Sequence, residues 1–302
     1  MSDAVAIIEV GPRDGLQNEA TPIPTAAKAQ FVRDLAAAGL RDIEVSSFVS
    51  PKWVPQLGDA AELAEQLRDL ESRVAMSYLV PNRTGLDRAL DAGVTRIALF
   101  TAASDAFTQK NVNATVAETL ERFAEVISAF RAAVPNGFVR GYVSTIVECP
   151  YAGRIMPSSV GDVVARLRDL GIDEVSLGET LGVAVPPEIE AVADSVGPCF
   201  PIEKTAWHFH DTRGTAMANV AAMLARGYRR FDSSAAGLGG CPYAKGAGGN
   251  LATDDLAYLA ERMGLATGID RAQLARASQP VLAALNRTPF AKAQLAALAD
   301  GT

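Results

Sequence analysis

The chain has 302 residues, 49% of them hydrophobic and 21% charged, with a formal net charge of −7. The length allows one large domain or two ordinary ones with ample core, and the acidic balance argues against nucleic acid or an anionic membrane as a main partner. No apolar run reaches membrane-span length, the N-terminus has no basic stretch before a long apolar one, and Cys149, Cys199 and Cys241 are odd in number and far apart; the expectation is a soluble cytosolic protein.

One pattern repeats about every thirty residues, a short β-rich apolar run, a loop, then an amphipathic helix. A strand at 6–10 precedes a helix at 25–38, one at 42–48 a helix at 58–70, one at 74–80 a helix at 84–92, and one at 96–102 a helix at 115–133. Strands at 139–147, 174–180, 205–211 and 229–240 precede helices at 158–170, 187–195, 215–226 and 252–263. Gly39, Gly93, Gly171, Gly227 and Gly264 fall just past helix ends, where a positive φ is needed. Eight such units without a linker predict an α/β fold, a single (β/α)8 TIM barrel with its core over 1–268. A doubly wound open sheet is the alternative, and eight units match closure better. The pattern over 271–287 predicts one added helix within a C-terminal extension, 269–302.

In such barrels the working face lies at the C-terminal ends of the strands. The only two histidines of the chain, His208 and His210, are one residue apart in "WHFHDTRG" at the end of the seventh strand. Strand alternation points both to one face. After the first strand comes "GPRDGLQNE" with Arg13, Asp14 and Gln17; the second carries Glu44 and ends in Ser46 and Ser47. The fifth carries Tyr142, and the sixth carries Ser176 and ends in Glu179 and Thr180. After the eighth comes "GLGGCPYAKGAGGN", bearing Cys241 and reaching Asn250.

Asp14, His208, His210 and Asn250 would combine a carboxylate, two imidazoles and an amide oxygen. That set is too hard for a thiolate zinc site and suits Mg2+ or Mn2+ with positions left open for substrate oxygens. The alternative is a packed histidine pair satisfied by hydrogen bonds. Cys241 could be a small buried hydrophobe, as most intracellular cysteines are. Its glycine-rich setting reads instead as a mobile cover over the barrel mouth, from which a thiol could move a proton at a reacting carbon. Arg13 could be a surface cation, or could sit over a developing enolate oxygen. The glycine loop matches neither phosphate-binding pattern.

The segments "GPRDGLQNE" (11–19), "SSFVSPKWVPQ" (46–56), "RGYVS" (140–144), "ECPY" (148–151), "HFHDT" (208–212) and "GLGGCPYAKGAGGNLAT" (237–253) span nearly the whole chain. In them the chain resembles the 3-hydroxy-3-methylglutaryl-CoA lyase family, within a superfamily of metal-dependent barrels. The resemblance implies that Asp14, His208, His210 and Asn250 ligate a divalent metal, that Arg13 stabilises an enolate, and that Cys241 donates a proton. It implies Glu44 as a supporting acid, Gln17, Ser47, Ser176 and Thr180 on the substrate side, an acyl-CoA substrate and a homodimer. The reaction implied is cleavage of the acyl-CoA to acetoacetate and acetyl-CoA, with Glu179 or His208 as the base.

Two positions depart from the family pattern. Glu179 stands in "SLGET" where most members have aspartate, and Ala20 follows "NE" where a lysine is common. The added methylene shifts the carboxylate by about 1.5 Å, near the scale at which misplacement is felt in catalysis. The nearest alternative is therefore a lyase for a related acyl-CoA with a longer 3-substituent. Condensing synthases of the superfamily tend to carry H-x-H-N-D rather than "HDT" and have further C-terminal domains. A barrel that has lost catalysis and serves as a scaffold would lack at least one of these residues, and all are present.

Overall fold

The structure, a computed structural model, describes residues 3–240 and 249–299. Eight strands, Ala6–Glu9, Asp42–Ser47, Ala75–Leu79, Arg96–Ala102, Phe138–Ser144, Glu174–Glu179, Thr205–Phe209 and Arg230–Ser233, pair in parallel and in chain order. The first pairs with the eighth, Ile8 opposite Asp232, and closes the barrel. Helices follow the strands at Thr25–Ala37, Ala60–Leu67, Arg83–Asp91, Val116–Ala133, Pro157–Asp169, Pro186–Val196, Ala216–Ala225 and Thr253–Arg262. This is the (β/α)8 fold that the sequence pattern predicts. Helix ends follow their glycines: Gly39 and Gly227 have φ of +109° and +92°, which an L side chain resists.

The strands are buried on both faces, as parallel strands under helices must be. Their outward side chains meet the helices in one large apolar core that includes Phe31, Leu35, Ile43, Val175 and Trp207. The inward side chains are unusual. Barrel interiors are commonly filled by branched apolar residues, but here Asp42, Arg96, Arg140, Glu174 and Arg230 form a lattice of ion pairs near the N-terminal end. Arg140 Nε lies 2.8 Å from Glu174, and Arg230 lies 2.5 Å from Glu174 and 3.5 Å from Asp42.

Three expectations need correction. The eighth strand ends at Ser233 rather than 240, because the chain turns at Ala235–Gly237 with Ala236 at φ +57°. The C-terminal pattern is not one helix. It breaks at Ser278 into Arg271–Ala277 and Gln279–Ala284, Pro280 lying in the first turn of the second, and Lys292–Ala299 follows. A short helix at Asp105–Val112 fills what reads in the sequence as a loop, started by Ser104, whose side chain accepts from the Phe107 amide. No helix among the described residues is long and apolar enough to cross a membrane.

Candidate functional site

The alternation in "WHFHD" does what strand geometry requires. Trp207 and Phe209 stack on each other at 5.7 Å against the helices, while His208 and His210 turn inward with Nε2 atoms 3.2 Å apart. His210 pairs by backbone with Asn250, so the segment after the glycine-rich stretch returns to the end of the seventh strand. The Asn250 amide donates to Asp14 Oδ2 at 2.8 Å and to the Leu238 carbonyl at 3.1 Å, and its buried Oδ1 has no partner among the described residues.

Asp14 and Arg13 stand on a wide turn, Gly11–Gly15, after the first strand. Arg13 donates through Nη1 to Asp14 Oδ1 at 2.8 Å and, more weakly, to Gln17 at 3.4 Å; its Nε bonds Glu44. Burial would raise the Asp14 carboxyl, but the charges of Arg13 and the histidines hold it below the usual range. Glu44 is fully buried next to a break in strand register, and its other oxygen accepts from the Tyr142 hydroxyl at 2.5 Å. Arg13, Asp14, Gln17, Glu44, His208, His210 and Asn250 are thus one cluster.

Two further residues complete it, and the sequence reading gave neither a role. Asp232, on the eighth strand, accepts from His208 Nδ1 at 3.2 Å and from Ser176 Oγ at 2.7 Å, and pairs with Arg140. Arg140 in turn donates to the Tyr142 hydroxyl at 3.0 Å. A continuous polar chain therefore runs from His208 through Asp232, Arg140, Tyr142 and Glu44 to Arg13. The available signal was a charged residue at an inward position of a strand, Arg140 within "FVRGYVS" and Asp232 within "RFDS". Burial opposes its ionisation, yet Arg140 and His208 bring Asp232 down to about 2. Through its bond to Asp232, Ser176 joins the same polar layer as His208. Arg140→Met should lower unfolding stability by about 3 kcal/mol, since it strips a cation from two buried carboxylates. Urea midpoints would measure this, and a loss under about 1 kcal/mol would show that His208, Ser176 and Arg230 compensate.

The other expected site residues bond locally. Ser47 Oγ donates to the Leu79 carbonyl and accepts from the Val49 amide, both at 3.2 Å. Thr180 Oγ1 accepts at 2.9 Å from the amide of Thr145, a β-branched residue held at φ +57°. Glu179 folds toward the turn after its own strand, where Oε1 accepts from the Val183 amide at 3.2 Å and the buried Oε2 has no partner among the described residues. Burial raises its carboxyl to about 7. Cys241, with Gly246 and Gly248, lies outside the described residues.

Could these residues hold a cation? Among the described residues no three histidine, cysteine, aspartate or glutamate side chains form a ready cluster. The chemistry of what does converge fits one nonetheless. Asp232 accepts a hydrogen bond from His208 Nδ1, which leaves the His208 Nε2 facing that of His210. Burial lowers the His210 imidazole to about 3, and the charge of His208 adds to this, so His210 is a neutral donor. Two opposed nitrogens need a proton or a cation between them. With the ionised Asp14 and the free Oδ1 of Asn250 alongside, a hard divalent ion matches the donor set.

A closed parallel barrel with ionisable groups gathered at the C-terminal ends of its strands defines the class, a TIM barrel with a polar mouth. The chain belongs to the HMGL-like family, whose model matches residues 4–281. It is 46% identical over 295 residues to the 3-hydroxy-3-isohexenylglutaryl-CoA/hydroxymethylglutaryl-CoA lyase of Pseudomonas aeruginosa, covering 98% of this chain and 97% of that one. It is also 46% identical to the hydroxymethylglutaryl-CoA lyase of Pseudomonas mevalonii, with 97% and 96% covered. The crystal structure of the hydroxymethylglutaryl-CoA lyase from Pseudomonas aeruginosa superimposes with a TM-score of 0.95 over 99% of both chains, at 46% identity.

Proposed function

We propose that the protein is a carbon–carbon lyase that cleaves 3-hydroxy-3-methylglutaryl-CoA to acetoacetate and acetyl-CoA. The observation that carries this reading is Arg13, a buried cation bound to Glu44 and Asp14 beside the facing histidines, in a chain 46% identical throughout to lyases named for that substrate. Asp14, His208, His210 and Asn250 would hold a divalent metal, Mg2+ or Mn2+, which when bound would supply Lewis-acid polarisation of the substrate hydroxyl.

This chain's own groups do the rest. The hydroxyl proton goes to Glu179, whose unpartnered Oε2 and carboxyl near 7 suit a general base at neutral pH. His208 is less suited, because Asp232 occupies one ring nitrogen and the other faces His210. As the C–C bond breaks, acetoacetate forms and charge develops on the acetyl-CoA enolate oxygen. Arg13 stabilises that charge, already oriented by Glu44 so that little reorganisation is needed. Cys241 returns a proton to the enolate carbon, a role that rests on the resemblance of the "GLGGCPYAKGAGGN" segment. Gln17, Ser47, Ser176 and Thr180 belong to the substrate side in the same reading. A cytoplasmic homodimer, with no nucleic-acid or membrane partner, belongs to the same proposal.

Product analysis with purified protein, Mg2+ and a panel of tertiary 3-hydroxy acyl-CoAs tests it. Acetoacetate and acetyl-CoA should form from the 3-methyl compound. Chelation should remove the activity and Mg2+ or Mn2+ should restore it, whereas full turnover in a demonstrably metal-free preparation would overturn the metal assignment. A second reading, preference for a longer 3-substituent, is favoured by Glu179 in place of aspartate, and the same panel decides it.

A further inference from the structure

The segment after the last barrel helix reaches back to the mouth at two points. Arg287 Nη2 lies 2.9 Å from Glu19 Oε1. Glu19 ends the "GPRDGLQNE" segment, and its side chain is only 9% exposed. Phe290, three residues further on, lies over Gly237. A Cβ on that glycine would come within 2.7 Å of the Phe290 ring, and its φ is +65°. The carbonyl of the next residue, Leu238, accepts from the Asn250 amide and so helps to aim Asn250 Oδ1. One short stretch thus touches the loop bearing Arg13 and Asp14 and the turn that orients Asn250.

The stretch is itself well anchored. Asn286 at φ +53° ends the preceding helix, and the Arg287 amide closes back on the Leu282 carbonyl at 2.8 Å. Beyond Phe290, the Ala293 amide donates to Asp255 at 2.6 Å. The fully buried Gln294 donates to the Ala275 carbonyl at 3.1 Å and to Ser278 Oγ at 2.7 Å. Both ends are therefore pinned to helices, while Arg287 and Phe290 face the mouth. Phe290 remains 47% exposed, a cost that core packing alone does not require.

The geometry points to Arg287 and Phe290 as positioning residues, a strap that fixes the loop after the first strand and the turn at 235–238 relative to each other and thereby sets the spacing of Asp14 and Asn250. Glu19 without its cation would be a nearly buried, unpaired carboxylate, and the loop would move to hydrate it. Loss of Phe290 would uncover the turn that aims Asn250. Displacements near 1 Å at such a site can cost up to about a hundredfold in rate.

The kinetic arm of the test rests on the lyase reading; the exchange arm does not. In Arg287→Ala, hydrogen exchange should quicken at least about tenfold at the Asp14, Gly15 and Glu19 amides, which bond within that loop. In Phe290→Ala it should quicken at Gly237 and Leu238. Turnover should fall about tenfold or more in both, with KM for the acyl-CoA changed less than kcat, and Arg287→Lys should recover most of the loss. Should an alanine variant fail to fold, Glu19→Gln carries the same test from the other side of the pair. Folded variants with wild-type exchange at these amides, or with quickened exchange but unchanged kcat, would overturn the strap. A wild type that cleaves no acyl-CoA would overturn the lyase reading alone and leave the exchange result to decide this one.

Discussion

Arg13→Met should cut kcat by about 10²–10³-fold while leaving Mn2+ affinity within a few-fold of wild type. The guanidinium lies between two carboxylates, Glu44 and Asp14, and belongs to neither the imidazole pair nor the amide of Asn250. Methionine keeps length and much of the volume, so the change removes charge and donors rather than packing. A cation aimed at charge that appears only during bond cleavage acts mainly on the transition state, and its loss falls on kcat. The variant also leaves Glu44 buried with only the Tyr142 hydroxyl among these partners, so some stability should be lost as well. Turnover measured at saturating acyl-CoA on folded protein separates the two effects. A rise in KM with kcat preserved would reassign Arg13 to substrate binding.

Glu179 should govern the acid limb of the pH profile. Burial raises its carboxyl to about 7, and a general base works only when ionised. Activity should therefore be present above about pH 7 and fall as the pH drops through that value, close to tenfold per unit further down. Glu179→Gln should abolish this limb together with about 10²–10⁴-fold of the rate. Glu179→Asp should keep substantial activity on 3-hydroxy-3-methylglutaryl-CoA if the longer stem simply folds back to serve the same hydroxyl. Glu179 Oε1 accepts from the Val183 amide of its own turn, a bond the carboxylate would leave to serve that hydroxyl. If instead the pocket has shifted to admit a larger 3-substituent, wild type should have the higher kcat/KM on the longer analogue, and Glu179→Asp should move preference toward methyl. An unchanged acid limb in Glu179→Gln would exclude this residue as the base.

The barrel was legible because its periodicity is simple. Parallel strands buried on both faces leave short apolar runs, and the intervening helices leave glycines at their ends, so each unit is bounded by its own chemistry. The histidine pair was legible for the same reason, since alternation alone puts 208 and 210 on one face. What alternation does not give is which inward charges meet across the barrel. Arg140 and Asp232 are 92 residues apart in sequence, and only closure of the ring makes them partners. The orientation of Glu179 was hidden likewise, because it depends on backbone amides of a turn that no side-chain pattern announces. The helix at Asp105–Val112 is short and mostly polar, and only Ser104 marked its start. The broken C-terminal helix was foreshadowed by Pro280, which sits where a continuous helix would need an amide donor.

The hydrogen bond between Asn250 and Asp14 joins residues 236 positions apart, across the seam where the first strand meets the eighth. A contact of such sequence separation carries a large loop-closure entropy, which the closed ring as a whole offsets. No intermediate with an open seam presents the complete set of Asp14, Asn250 and the two histidines. Anything that binds there binds the closed ring alone, and so by mass action holds the ring shut. Residence of the bound species and the lifetime of the native barrel should therefore rise together. A chain emerging from the ribosome would acquire both only once its last strand has docked against its first.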